Sequence, residues 1–161
     1  MFDKFGEFDS YEEINKAAEG QKAEGDFEAL KELAEENGID PEDVADYIDG
    51  GITQLCTPLT AAMGKIEIEC KELKPQEIEV DWVDYIKGRA FEDEKIALAI
   101  RRKGKNIFDC IGRIGKEAYK NSWKPHERVM KAAGLPSNCK LGMPGSARVK
   151  MIIKDYYLEA K

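Results

Sequence analysis

The stretch "LAEENGIDPEDVADYIDG", residues 33–50, predicts two short helices joined by a turn. In a helix-turn-helix, a small residue on the first helix is followed by a turn glycine, an apolar neighbour and an apolar anchor in the second helix. Four residues of the stretch have this spacing: Ala34, Gly38, Ile39 and Val44. The pattern therefore favours a small helical module built around this helix pair.

The charges of the second helix oppose a DNA-binding use of that shape. This helix has no Lys or Arg and four acidic residues, which are Glu42, Asp43, Asp46 and Asp49. Since they would face DNA phosphates with like charges, the pattern argues against direct DNA recognition. Two interpretations remain open: a structural bundle with a solvated acidic face, or an acidic surface that binds a cationic protein groove normally occupied by nucleic acid. In the second interpretation these four residues bind protein.

Capping residues predict three helices in the N-terminal part of the chain. Ser10 begins a capping box that opens the first helix, and Gly20 closes that helix. Asp26 caps the second helix and Asp40 caps the third. Three such helices can share one small core, so residues 1–51 are predicted to form an acidic helical module.

The rest of the chain is also predicted to be helical. In "TPLTAAMGKIEIECKEL" apolar residues recur at spacings of three and four, and "DWVDYIKG" follows a Lys-Pro break, so residues 52–88 are predicted to form a helical connector. Residues 89–161 are predicted to form a basic helical domain, with helices over "FEDEKIALAIRRKGK", "NIFDCIGRIGKEAYKN", "KPHERVMKAAG" and "SARVKMIIKDYYLEA". The predicted fold class is therefore all-α, with an acidic N-terminal three-helix module followed by a basic helical domain.

Charge is distributed very unevenly along the chain. Residues 1–50 have a net charge of -13, residues 51–98 of -4 and residues 99–161 of +10, which gives the total of -7. A basic half can approach nucleic acid, while an acidic half repels it or binds a basic protein surface. Mutual attraction of the two halves explains the split equally well, so both interpretations stay open.

The basic half contains a candidate nucleic-acid surface. On its second helix Arg113, Lys116 and Lys120 share a face that could follow a phosphate backbone, and Tyr119 or Trp123 could stack on a base. A solvated helix face is the alternative. The candidate nucleic-acid-binding residues are Arg101, Arg102, Lys103, Lys105, Arg113, Lys116, Lys120, Arg148 and Lys150.

The last two of these follow "LGMPGS", which is loosely similar to the phosphate-binding hairpin of helix-hairpin-helix proteins. That family has a second glycine two residues after the first, where this chain has Ala147. The departure favours a simple helix cap at Ser146.

No enzyme, metal or membrane signature stands out in the sequence. The four cysteines include no CxxC pair and His126 is the only histidine, so a zinc site has almost no support. No nucleophile motif, P-loop or dinucleotide fingerprint is present. The chain has no apolar run that could span a membrane and begins without a signal sequence. We therefore predict a cytoplasmic, non-enzymatic protein without a cofactor or metal.

Several stretches resemble small accessory proteins of conjugative elements and phages of gut clostridia. They are "MFDKFGEFDSYEEIN", "LAEENGID", "LCTPLTAAMGKIEIECKELKP", "DWVDYIKG", "IRRKGK", "LGMPG" and "KMIIKDYYL". The resemblance implies a mobile-element setting, in which some proteins inhibit the host's type II CRISPR nuclease. The charge split is compatible with such a role, because an acidic face could occupy a protein groove while a basic face touches RNA or DNA.

The leading functional prediction is an inhibitor that binds a CRISPR nuclease or its nuclease-guide complex. The alternative is a nucleic-acid-binding accessory or regulatory protein for maintenance or transfer of the element, and a structural adaptor comes third. The predicted partners are therefore the nuclease and DNA or RNA, with no membrane. The oligomeric state stays open.

Overall fold

The structure is a computed structural model that describes residues 2–159. Within this range the chain forms nine α-helices and no β-strand, which confirms the all-α fold class. The helices are α1 Tyr11–Glu24, α2 Phe27–Glu36, α3 Pro41–Asp49, α4 Pro58–Leu73, α5 Ile78–Glu92, α6 Glu94–Arg101, α7 Ile107–Lys120, α8 Glu127–Ala132 and α9 Ser146–Leu158.

The first three helices begin at the predicted caps. Ser10, Asp26 and Asp40 each accept a hydrogen bond from a backbone N–H in the first turn of α1, α2 and α3. The prediction that Gly20 ends α1 is wrong. The helix continues for another turn and ends at Gly25, whose φ of 72° lies in the left-handed region that suits glycine.

Two other predicted boundaries are also wrong. "FEDEKIALAIRRKGK" is not one helix, because Asp93 caps the start of α6 by accepting from the Lys95 N–H at 3.0 Å while Phe91 belongs to the end of α5. At α9 the predicted cap Ser146 is the first helical residue. Gly145 occupies the cap position, and no side-chain hydrogen bond caps this helix.

Buried apolar side chains form two clusters, which α4 joins. The N-terminal cluster contains Ile14, Leu30, Leu33 and further residues of α1, α2 and α3 together with Ala61 of α4. The C-terminal cluster contains Ala62 of the same helix with side chains of α5, α6, α7 and α9. Helices α4 and α5 thus pack with the C-terminal helices. The boundaries at residues 51 and 88 stay predictions.

The turn between α2 and α3 lies directly on the backbone of α4. Gly38 in the turn has a φ of 68°, and a Cβ added there would lie 2.4 Å from the Gly64 carbonyl oxygen. A Cβ added at Gly64 would lie 2.3 Å from the Asn37 carbonyl oxygen. Neither backbone could be this close if the other residue carried a side chain, so the two glycines fix how the N-terminal helices dock on α4.

Polar and charged side chains are buried beside this contact, and we call them the junction cluster: Asn37, Lys65, Glu69 and Arg101. The Arg101 guanidinium donates to the Asn37 side-chain oxygen at 2.9 Å. The Lys65 ammonium donates to the Arg102 carbonyl at 3.0 Å, and the Glu69 carboxylate accepts from the Ile107 N–H at 2.9 Å. These bonds connect α6 to the turn of the N-terminal helices, and they connect α4 to the loop after α6 and to the start of α7.

An acidic arm before α1, residues 2–10, covers one side of the junction. Glu7 pairs with the buried Lys65 ammonium at 2.5 Å and accepts from the Gly104 N–H at 3.2 Å. Asp9 accepts from the Lys103 N–H at 2.9 Å. At this point acidic residues of the N-terminal part contact the basic loop after α6.

Candidate functional site

An open groove of about 900 Å³ lies between the α2–α3 pair and α4, with the end of α5 at its edge. Its floor is mainly apolar. Apolar side chains that face it are Ala45 and Ile48 of α3, Leu59 and Met63 of α4, and Phe91 of α5. Phe91 is 65% exposed, which is unusual for so large an apolar side chain.

Helix periodicity explains how α3 forms one wall of this groove. Val44 and Tyr47 point into the N-terminal cluster, while Pro41, Ala45 and Ile48 follow at spacings of four and three and face the groove. The helix therefore has a second apolar stripe beside its buried one. The prediction of an acidic face on α3 did not include this second apolar stripe.

The charged residues that line the groove are predominantly acidic. Of the four predicted protein-binding residues, Asp43 and Asp49 line it. Glu42 and Asp46 are exposed and lie outside it. All charged residues of the lining are Glu35, Asp40, Asp43, Asp49 and Glu67 with Lys31 and Lys71, a net charge of -3. The structure thus combines two of the four predicted acids with an apolar floor and leaves the other two on the solvent side of the same helix.

Two predicted nucleic-acid-binding residues are buried, so their assignment to a surface is corrected. Arg101 is 1% exposed and Lys105 is 4% exposed. Arg101 belongs to the junction cluster, where burial lowers the pKa of its guanidinium. The Lys105 ammonium donates to the Tyr156 carbonyl at 2.6 Å. Both cations lie in the interior and cannot reach a phosphate.

Three further predicted residues interact with groups of the protein. Arg113 pairs with Glu159 at 2.7 Å, and Arg148 pairs with Glu117 at 2.9 Å. The Lys150 ammonium lies over an aromatic ring, 5.2 Å from the centroid of Tyr85. The face that Arg113 was predicted to share with the lysines of α7 is therefore partly neutralised.

The four remaining predicted cations are exposed. Arg102 and Lys103 lie on the loop after α6, and the Lys103 N–H is the one that bonds the acidic arm. Lys116 and Lys120 lie on the outer face of α7. Within residues 2–159, these two lysines have no ion-pair or hydrogen-bond partner.

The junction cluster contains a carboxylate with a strongly raised pKa, yet it is closed to ligands. Burial raises the pKa of Glu69 to about 7 and lowers the pKa of Lys65. A perturbed carboxylate can indicate a catalytic acid or base. Here Glu69 is 2% exposed and Lys65 is 1% exposed, so the observed conformation offers a substrate no approach to either group.

The sequence pattern around these two residues does not indicate their burial. Lys65 and Glu69 are four residues apart on a helix, which is the spacing of an ordinary surface ion pair. Their position facing Glu7 and Arg101 depends on contacts between residues far apart in the chain.

Two of the four cysteines, Cys56 and Cys110, are buried. Burial raises the pKa of Cys56 and of Cys110 to about 12, so both thiols stay protonated near neutral pH. Among residues 2–159, no three His, Cys, Asp or Glu side chains converge as a metal site would require. No helix in that range has the length and apolar character needed to cross a membrane.

Comparison of the chain with known protein families, curated proteins and solved structures finds no match. The candidate site therefore rests on this chain's own geometry, which is the apolar groove with its acidic lining. The mobile-element setting stays a prediction from the sequence.

Proposed function

We propose that the protein is a non-enzymatic binding protein of a mobile element, which captures a cationic, amphipathic segment of a host protein in the groove between α3 and α4. The observation that carries this proposal is the combination of an apolar floor with an acidic lining in one groove of about 900 Å³. The partner we propose is the host's type II CRISPR nuclease or its guide complex, as the sequence resemblance implies.

The apolar floor would provide most of the binding free energy. Phe91 has most of its surface in contact with water, and its full burial contributes about 1.5–3 kcal/mol. Grooves of this kind commonly accept an amphipathic helix whose apolar residues recur every three or four positions. Met63 and Ile48 lie on opposite walls, where such a helix would contact both.

The acidic lining would select the partner. Carboxylates such as Asp43 and Asp49 attract a basic segment and disfavour an acidic one, which affects specificity and association rate more than affinity. The nucleic-acid channel of a CRISPR nuclease is positively charged, so it offers segments of the required sign. A segment held in the groove would no longer contact guide or target, and this would inhibit cleavage.

Paired charge reversals on α3 test the proposal. Asp43→Lys with Asp49→Lys changes the groove lining, while Glu42→Lys with Asp46→Lys makes the same change of charge on the same helix outside the groove. We expect the first pair to weaken capture of the purified, guide-loaded nuclease and inhibition of DNA cleavage by at least about tenfold. The second pair should leave both within about threefold of the original chain.

A third variant examines the floor without changing charge. Phe91→Ser removes an exposed ring, so the melting temperature should stay nearly constant while capture weakens. Equal losses in both charge-reversal pairs would show that only net charge matters and would contradict a groove site. Failure of the unaltered chain to bind the nuclease, with or without guide RNA, would contradict the proposed partner.

A further inference from the structure

Two aromatic side chains near the end of α7 are exposed on the basic part of the chain. Tyr119 is 87% exposed and Trp123 is 52% exposed. Neither ring belongs to the C-terminal cluster, although large aromatic side chains normally contribute their area to a core or an interface. Their exposed faces are available to a ligand that stacks on a flat aromatic ring.

The backbone that carries Trp123 is held in place. Its N–H donates to the Leu141 carbonyl at 2.7 Å, and the Leu141 N–H donates back at 2.9 Å, which forms an isolated antiparallel bridge. The next residue, Gly142, lies against α7, since a Cβ added to it would be 2.1 Å from the Ala118 carbonyl oxygen. Trp123 is therefore presented from a fixed position four residues after Tyr119, although its ring is largely in solvent.

Unneutralised lysines accompany the two rings. Lys116, Lys120 and Lys124 are exposed, and in the described part of the chain they have no ion-pair or hydrogen-bond partner. Lys116 and Lys120 are one helical turn apart and flank Tyr119 on the surface of α7, and Lys124 follows Trp123 directly. Residues 116–150 hold eight Lys or Arg and two Asp or Glu, a net charge of +6.

We propose that this surface, which comprises Tyr119, Trp123, Lys116, Lys120 and Lys124, binds single-stranded RNA or DNA. Exposed rings stack on unpaired bases of any sequence, and lysines follow the phosphates by releasing counterions. Bases in a duplex are already stacked on one another, so a double strand could use the lysines but not the rings. The surface lies on α7 and the segment that directly follows it, neither of which lines the groove, and the inference does not depend on the proposed nuclease.

Fluorescence anisotropy with the full chain and a labelled oligo(dT) or oligo(U) tests this proposal. We expect binding to the single strand that is stronger than binding to a duplex of the same length. Tyr119→Ser with Trp123→Ser should weaken single-strand binding by at least about tenfold, because each stacked base contributes roughly 1–3 kcal/mol. Phe27→Ala, which truncates a 41% exposed ring on α2, is the matched control and should change binding little.

Substitution of the lysines distinguishes direct contact with phosphates from general electrostatic attraction between the protein and the oligonucleotide. Lys116→Gln with Lys120→Gln should reduce the slope of log affinity against log salt by about 0.7 for each lysine that contacts a phosphate. Lys16→Gln with Lys95→Gln makes the same charge change elsewhere and should leave that slope unaltered.

Three results would overturn the inference. The first is no binding of either oligonucleotide at about 50 mM salt, a low salt concentration at which phosphate contacts are strong. The second is stronger binding of the duplex than of the single strand. The third is unchanged affinity in the Tyr119 and Trp123 variant, together with equally tight binding of heparin, which would leave only general attraction of a polyanion. Circular dichroism on each variant ensures that a loss of binding is not a loss of fold.

Discussion

The N-terminal helices and the segment 122–145 differ in how their apolar residues are used. Helices α1, α2 and α3 each begin with a side-chain cap and share a buried cluster that includes Leu30, Leu33 and Val44. In the segment 122–145, which contains α8, Met130 is the only buried residue, and the apolar residues Trp123, Val129, Leu135, Leu141 and Met143 are exposed. The N-terminal helices bury their apolar residues in the core, whereas the segment 122–145 leaves most of its apolar residues exposed to solvent or to a ligand.

This difference has consequences for local stability. Regions with few buried contacts open at a lower free energy than the core, and binding surfaces are often drawn from them. Amide hydrogens in α8 should therefore exchange sooner than those in α2 and α4. Experiments that substitute the same residue type in both regions show the contrast most directly.

The largest effect should come from Val44→Asp compared with Val129→Asp. Val44 is 5% exposed in the N-terminal cluster, and Val129 is 56% exposed on α8. A carboxylate at position 44 would have no partner in an apolar site, so the free energy of unfolding should fall by about 3–5 kcal/mol. At position 129 the change should stay within about 0.5 kcal/mol. Urea denaturation measures both.

Similar destabilisation by the two valine variants would show that the segment 122–145 is as tightly integrated as the N-terminal helices. That result would contradict the comparison. It would also remove one reason for treating the exposed residues of that segment as available to a ligand.

A smaller effect is expected at the contact between the two glycines. Gly64→Ala would place a Cβ against the Asn37 carbonyl, and the required backbone shift should cost about 1–3 kcal/mol. Gly88→Ala, on α5 with nothing within 4 Å, is the matched control and should stabilise the protein by about 0.4–1 kcal/mol. A stabilising Gly64→Ala, measured by thermal unfolding, would be incompatible with the close docking of α4.

A further effect depends on pH and concerns the junction cluster. The pKa of Glu69 is raised by burial to about 7 in the folded protein, above its ordinary value of 4.5. The folded protein therefore holds this proton more tightly than the unfolded chain does. The resulting stability is fully present below pH 4.5 and is lost as pH rises through 7, by at most about 1.4 kcal/mol per pH unit.

Glu69→Gln isolates that contribution, because the amide oxygen can still accept from the Ile107 N–H. The raised pKa defines a range of about pH 5 to pH 7 in which stability is lost. Over this range we expect the variant to lose less stability than the original chain does. Denaturant titrations at several pH values give the two slopes. Parallel slopes would mean that Glu69 is ionised throughout this range in the folded state.

Local signals in the sequence were enough to predict much of the secondary structure. Ser10, Asp26 and Asp40 cap their helices through bonds to residues two or three positions away, so the sequence contains both partners within a short window. The wrong boundary at Gly20 has a related cause. A glycine within a helix lowers the stability of that helix by only roughly 1 kcal/mol. Helix α1 therefore continues through Gly20, supported by the turns on either side of it.

The groove and the junction cluster could not be predicted in the same way. The sequence pattern places Phe91 in the following helix, so it does not indicate that this residue lies beside α4. Arg101 is predicted to be a surface cation because a basic residue in the last turn of a helix is usually exposed there. Only contacts between distant residues, such as Arg101 with Asn37, determine that this side chain is buried.

The bonds of the acidic arm also affect the order in which parts of the chain can fold during synthesis. Asp9 and Glu7 precede their donors, Lys103 and Gly104, by 94 and 97 residues. At roughly 5–20 residues per second, a ribosome adds that length in about 5–20 s, during which these carboxylates have neither donor. Residues 11–49 leave the ribosome well before these donors and can assemble their helices, while the arm closes only after α6 and the loop that follows it have emerged. The arm thus joins the fold later than the three helices that directly follow it, although it is synthesised before them.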